Sequence, residues 1–228
     1  MARSPASQRR PSGPTLAQKR TSPYDRIKQA ILSGDLPPDE QLVESVLAEW
    51  CEVSRTPIRE ALTRLEQDGL VGRGEHGLIV RARSHEEILD LYDTRIVLES
   101  HAAAVAAERR TSHDVLMMRR VAEISNRVSS TDQWTLAEAN REFHRTIWHA
   151  SHNVSLIDLL ERLNMHLGRY PATTLAYPGR LVAADHEHVD LVEAIEARDH
   201  VRAAAISSQH FTAAREIRLR IWEAEPRT

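Results

Sequence analysis

Residues 53–71 read VSRTPIREALTRLEQDGLV. Ile58, Ala61, Leu62 and Leu65 follow one another at helical spacing, so they share one face of a helix. Arg55 and Arg59, four apart, project together from the other face. Ser54 opens this helix and Asp68-Gly69 closes it. Its first turn therefore offers two guanidinium groups, the hydroxyls of Ser54 and Thr56, and the unpaired backbone N–H groups of a helix start. That combination suits phosphate and the bidentate guanine edge. A solvated arginine face on a small helical domain has the same spacing, so this stretch alone leaves both readings open.

The flanks narrow the choice. Upstream, Ser22-Pro23-Tyr24-Asp25 reads as a helix start, with an N-cap serine, proline in the first position and an acid in the first turn. Ile27, Ala30 and Ile31 give that helix an apolar face, and Ser33-Gly34-Asp35 with Pro37-Pro38 ends it. A second short helix is expected over about 43–51, with Val46, Leu47 and Trp50 facing inward. Downstream, Leu70-Val71 and Leu78-Ile79-Val80 read as two short strands around a turn running from Gly72 to Gly77. Three helices followed by a hairpin make a helix-turn-helix with a wing, a layout that docks on DNA. Residues 1–20 carry Pro, Ser, Gln and Arg without hydrophobic period and predict a disordered basic tail.

The remainder is helical throughout. Ser84-x-x-Glu87, Thr111-x-x-Asp114 and Ser130-x-x-Gln133 each precede an apolar-periodic run, as capping residues do. They predict helices over about 85–109, 112–128 and 131–150, with further helices over about 153–170, 180–198 and 200–223. The expected fold is mainly α: a winged helix-turn-helix over 21–82, then an antiparallel bundle of six or seven helices over 84–225.

Composition sets bounds on function. The 228 residues include one cysteine, Cys51, so no internal disulfide is possible. That suits a reducing compartment, and the cytoplasm is the expected location. No apolar run reaches the ~18–20 residues of a membrane span, and no membrane partner is expected. The net charge of −3 hides an asymmetry. Residues 1–34 hold seven basic residues and one acid, residues 1–81 hold twelve and eleven, and residues 82–228 hold eighteen and twenty-two. Only the N-terminal part is suited to a polyanion. The chain has no HExxH, GxSxG or P-loop stretch, and Cys51 reads as a core residue. An enzyme is not expected.

Twelve histidines are many for this length. Asn140 and His144 are four apart and face the same way, as ligands of one ion would, or as a hydrogen-bonded couple would. The stretches 185–188, DHEH, and 207–210, SSQH, fall on two further amphipathic helices. Facing helices of a bundle are where metal sites form. His85, His113, His149, His152 and His200 show no partner in the sequence and read as surface groups. Glu142 and Glu187 lie one or two positions from a histidine and so do not share its face, which leaves a metal-dependent hydrolase without a general base.

The stretches IKQAILSGDLPP, QLVESVLAE, VSRTPIREALTRLEQDGLV and HGLIV occur in the order and with the gaps of the winged-helix domain of GntR-type bacterial transcription regulators, which residues 22–80 resemble. The resemblance implies that Ser54, Arg55, Thr56 and Arg59 enter the major groove, and that His76 and Gly77 at the wing tip approach the minor groove. Three departures stand out. Glu52 occupies a position usually held by Gly, Pro38-Asp39-Glu40 replaces a Pro-Gly turn, and Ser45 stands where many members carry Arg.

LYDTRIVLES, NREFHRTIWHASHN, EHVDLVEAIEARD and AAISSQH extend the likeness: residues 85–223 resemble the FCD effector domain of the FadR branch of that family. This implies a divalent metal ion, zinc first with nickel or manganese as alternatives, bound by Asn140, His144, His188 and His210. His188 rather than His186 fits the family's Glu-His pattern. It also implies that Arg95 lines an effector pocket, with Glu99 one turn on as its alternative partner. Three imidazoles and an amide would leave the ion at +2, which predicts an anionic effector, a small carboxylate. The whole then reads as a homodimeric regulator, a repressor, acting on a palindromic double-stranded DNA operator. A regulator that senses the ion itself is the alternative.

Overall fold

A computed structural model describes residues 21–126, 133–167 and 174–224. The chain divides between Ala82 and Arg83 into two compact units. The tail of residues 1–20 and the capping stretch at Ser130 lie outside the described residues.

In the first unit, α1 spans Pro23–Ser33, α2 Glu44–Cys51 and α3 Arg55–Gln67. Ser22 accepts a hydrogen bond from the Asp25 N–H at 3.1 Å, the N-cap expected from the sequence. Ile27, Ile58, Leu62 and Leu65 are fully buried where α1 and α3 meet. On α2 the inward face is Leu47, Ala48 and Cys51, whereas Val46 is exposed and Trp50 half-buried. The expected inward face holds at Leu47, is only partly met at Trp50 and fails at Val46. Trp50 is held at the rim instead, because the buried Arg26 lays its guanidinium over the indole at 4.8 Å.

Arg26 also closes α2. Its Nη2 donates to the Trp50 carbonyl at 2.9 Å and its Nη1 to the Cys51 carbonyl at 3.2 Å, two acceptors that a helix end leaves unpaired. The next residue, Glu52, sits in the left-handed region at φ 58°. Asp39 does the same at φ 65°. Both departures from the family pattern thus fall where the backbone favours glycine, and the turns persist with side chains in place.

Strands β1, Val71–Gly74, and β2, Gly77–Val80, pair antiparallel, with Gly74 opposite Gly77. The segment 40–42 lies along the other edge of β2, where Leu42 donates to the Leu78 carbonyl and Val80 to the Glu40 carbonyl. At Gly77, φ is 127°, a conformation that side chains rarely adopt. Tyr24 ties α1 to the end of α3 by donating to Asp68 at 2.5 Å. Burial, and then Asp68, push its phenol up to about 12.

The second unit comprises α4, His85–Arg109, α5, Ser112–Asn126, α6, Gln133–Ala150, α7, Val154–Leu167, α8, Arg180–Glu196, and α9, His200–Glu223. The capping boxes at α4 and α5 form as the sequence predicts. Ser84 and Glu87 bond reciprocally at 2.9 and 3.1 Å, and Thr111 and Asp114 at 2.7 and 3.2 Å. Helix α4 runs through the centre, packed on α6, α7, α8 and α9. Its Ala102, Ala103, Ala106 and Ala107 are fully buried, and side chains that small let the neighbouring helices come close. At one end, Arg110 donates to the last carbonyls of α8, and Arg198 donates to the Glu108 and Arg110 carbonyls. None of the helices described is long and apolar enough to cross a membrane.

Two substitutions in the first unit test this account of α2 and its cap. A left-handed non-glycine costs ~1–2 kcal/mol, and glycine returns ~0.5–1 kcal/mol of that to the unfolded chain. Glu52→Gly is therefore expected to stabilise by roughly 0.5–1 kcal/mol in urea unfolding. Arg26→Ala is expected to destabilise by ~2–3 kcal/mol, since it strands two carbonyls. A lower urea midpoint for Glu52→Gly would mean that the left-handed cap carries no strain.

Candidate metal centre and nucleic-acid face

Three helices of the second unit each bring one imidazole to a common point: α6 brings His144, α8 His188 and α9 His210. All three are at most 3% exposed. Their ring centroids are 4.9–5.1 Å apart, and one ligating nitrogen from each lies within 4.8 Å of the other two. Phe143 stacks on His188 at 4.0 Å, and Phe211 packs against both His144 and His210 at 4.8 Å. The sequence pairs His188 and Phe143 with nothing in particular. Their meeting follows from helix packing.

Burial holds the His144 and His188 rings well below the usual imidazole range, with neighbouring positive charge adding to the effect. Neutral rings keep a lone pair for a metal. His210 is also lowered, by burial first, although Glu187 pulls the other way. His144 Nε2, both nitrogens of His188 and Asn140 Oδ1 are buried and have no hydrogen-bond partner among the described residues. Buried polar atoms in native proteins are nearly always paired, and each orphan costs ~1–3 kcal/mol. Since an imidazole gives one nitrogen to an ion, His144 Nε2, one nitrogen of His188 and Asn140 Oδ1 offer three ligand atoms of kinds a divalent ion takes. The buried cluster is therefore one that could hold a metal ion.

Two charged pairs border the cluster. Arg95 on α4 donates from Nε to Glu99 at 3.2 Å and lies over the Phe211 ring at 4.4 Å. Glu99 is itself buried and accepts from Trp148 Nε1 at 2.6 Å, and burial raises its pKa. Arg95 thus has the Glu99 partner its spacing offers, and it also lies close enough to depress both His144 and His210. On α8, Arg180 forks onto Glu187, and Glu187 contacts His210. Two hydrogen bonds and the charges of His210 and Arg180 outweigh burial and bring Glu187 down to about 2.

Neither Arg180 nor the Glu187 contact is part of the sequence-based site. One clue was present: Arg180 and Glu187 are seven apart, so they lie on one face two turns apart. The contact with His210 joins two helices and leaves no trace in spacing. His186, His149 and His152 are exposed, as is Glu142. Two histidines read as solitary have partners after all. His152 lies 2.9 Å from Asp114, and His85 stacks on Trp222 at 4.2 Å.

In the first unit, Ser54, Arg55, Thr56 and Arg59 are all exposed at the start of α3, while Ile58, Ala61, Leu62 and Leu65 are buried beneath them. Ser54 makes no side-chain cap, so its hydroxyl is not used by the helix. Arg59 is engaged: it forks onto Glu44 at the start of α2, at 3.1 and 2.9 Å. This pair, which lowers the Glu44 pKa chiefly through the hydrogen bond, was not part of the sequence expectation. At the hairpin tip, His76 and Gly77 are exposed, and Gln41 anchors the His76 carbonyl at 2.8 Å.

Comparison with known proteins agrees with both units. The profile of bacterial regulatory proteins of the gntR family matches residues 21–77, and that of the FCD domain matches residues 90–213. The HTH-type transcriptional repressor GlaR of Escherichia coli (strain K12) is 28% identical over 200 residues, covering 82% of this chain and 90% of that protein. The uncharacterized HTH-type transcriptional regulator YdhC of Bacillus subtilis (strain 168) is 28% identical over 171 residues, covering 73% of this chain and 76% of that one. Among solved structures, E. coli McbR/YncC superposes with a TM-score of 0.72 at 22% identity over 91% of this chain and all of that one, a likeness of fold. The chain belongs to the gntR family of bacterial regulatory proteins, with a gntR DNA-binding domain followed by an FCD domain, and is a DNA-binding transcription regulator rather than an enzyme.

Proposed function

We propose that this regulator is a homodimeric repressor released by a small carboxylate that binds at a divalent ion in the FCD domain. The carrying observation is the set of orphaned buried donors: His144 Nε2, both His188 nitrogens and Asn140 Oδ1, beside His210. Zinc, with nickel or manganese as alternatives, suits three imidazoles and an amide. These donors carry no negative charge, so a bound ion keeps its full +2 and favours an anionic ligand in its open positions.

Arg95 is the residue placed to hold the far end of such an acid. Its Nε is committed to Glu99, and among the described residues its two terminal nitrogens donate to no protein acceptor. A guanidinium presented in that way matches a carboxylate. Water activation is disfavoured, because Glu187 is committed to Arg180 and His210, and Glu142 is exposed and paired with Arg145. The name of GlaR as a repressor supports the same sign of regulation here. On DNA, Ser54, Arg55, Thr56 and Arg59 would meet the major groove, and His76 and Gly77 the minor groove, at the two halves of a palindrome. Acid binding would change the relative pose of the two DNA-binding domains, which the operator discriminates.

Three measurements test this. Arg55→Ala is expected to weaken operator binding by about 10–100-fold at fixed salt, the loss of one bidentate contact. An unchanged operator affinity would remove Arg55 from the interface. Zinc titration of the metal-free protein against a chromophoric chelator is expected to give one tight site, lost in His188→Ala. Equal zinc affinity in the variant would exclude the cluster. A thermal-shift screen of organic acids on the metal-loaded protein is expected to find a stabilising carboxylate whose effect weakens by about 10–100-fold in Arg95→Gln, which keeps a donor for Glu99. Operator release by metal alone, with no response to any acid, would instead favour a sensor of the ion.

A further inference from the structure

A metal centre built from imidazoles needs each ring in the right tautomer, with its lone pair aimed inward. Of the three rings, only His210 has a carboxylate against it among the described residues: Glu187 Oε2 is 2.6 Å from Nδ1. Glu187 precedes His188 in the chain, yet it serves the histidine of a different helix. Arg180 Nη2 also lies 3.1 Å from His210 Nδ1, but its two hydrogens go to Glu187 Oε2 at 2.8 Å and to the His210 carbonyl at 3.2 Å. An ionised carboxylate only accepts, so the shorter 2.6 Å contact puts the proton on Nδ1, and the lone pair of His210 then lies on Nε2.

The carboxylate is itself fixed. Arg180, the first residue of α8, donates from Nη1 to Oε1 at 2.9 Å and from Nη2 to Oε2 at 2.8 Å. The same Nη2 reaches the His210 carbonyl at 3.2 Å. One guanidinium, its side chain 4% exposed, therefore holds the carboxylate and the backbone of the histidine together. Bidentate forks of this kind fix orientation as well as distance. With both oxygens committed to Arg180, Glu187 stands outside the ligand set and acts through His210.

We propose that Glu187, clamped by Arg180, is the positioning residue of the metal centre: it locks His210 in the Nδ1–H tautomer and presents Nε2 to the ion. The assignment rests on the metal reading above. A carboxylate behind a ligating imidazole fixes the ring and raises its basicity, and its loss typically weakens metal binding by about 10–100-fold.

The test has two arms. In the metal-free wild-type protein, nitrogen-15 NMR of the histidine rings is expected to show His210 with a protonated Nδ1 and a pyridine-like Nε2. The opposite tautomer would overturn the proposal, whatever zinc does. In zinc competition titrations, Glu187→Ala is expected to bind about 10–100-fold more weakly, with Glu187→Gln, which keeps an acceptor oxygen, recovering most of that loss. Wild-type affinity in Glu187→Ala, or a glutamine variant no better than the alanine one, would overturn it. If the alanine variant fails to fold, the tautomer in the wild type and in Glu187→Gln still decides. Absence of zinc binding in the wild type would sink the metal reading alone, because the tautomer is read without metal.

Discussion

Desolvation of three imidazoles at the heart of a helical bundle sets the terms for the second unit. His144, His188 and His210 occupy positions where an aliphatic side chain would satisfy the core at no polar cost. Burial keeps the rings neutral, and neutrality leaves lone pairs. With four orphaned donor atoms at ~1–3 kcal/mol each, the metal-free core gives up stability that an aliphatic core would keep. Binding of a structural divalent ion at such donors releases ~10 kcal/mol or more, which is ample to offset that cost. The alanine face of α4 allows the arrangement, because it lets α6, α8 and α9 close around a common point.

Charge beside this dry centre is handled in fixed couples. Glu99 is balanced by Arg95 and by the Trp148 indole, and Glu187 by Arg180 and the His210 ring. Buried ions persist only when paired and hydrogen-bonded, since an isolated charge costs several kcal/mol. The two couples differ in what they leave over. Arg180 has both terminal nitrogens committed, whereas Arg95 has its terminal nitrogens beyond Glu99. The two couples thus differ in how much of each guanidinium is spent on protein acceptors among the described residues.

The DNA-binding unit shows how a fold tolerates unhelpful residues. Glu52 and Asp39 occupy left-handed positions that favour glycine, and the surrounding contacts hold them there. Arg26 binds the carbonyls just before Glu52, so the end of α2 is fixed from outside the turn. The fork of Arg59 onto Glu44 leaves this arginine partly neutralised at the start of α3. On the proposed reading of the DNA face, that leaves Arg55 as the arginine of this turn with no ion pair among the described residues.

Much of this protein is legible in the sequence, because helices announce themselves locally. Capping at Ser22, Ser84 and Thr111, the apolar period of α3 and the Gly77 turn are decided by residues within four positions of one another. The three motifs that carry the site histidines could likewise be read from the sequence. Which face of α2 turns inward was read wrongly at Val46, because an eight-residue helix has too few turns to fix its own rotation and Arg26 decides it. The convergence of His144, His188 and His210, the Glu187 contact across helices and the Arg59–Glu44 fork exist only once helices pack. Sequence determined which elements form and which residue types they carry, through hydrogen bonds and periodicity a few residues long. Tertiary structure alone decided which of those residues meet, because side chains tens of positions apart are brought together by the burial of apolar faces, which spacing along the chain does not encode.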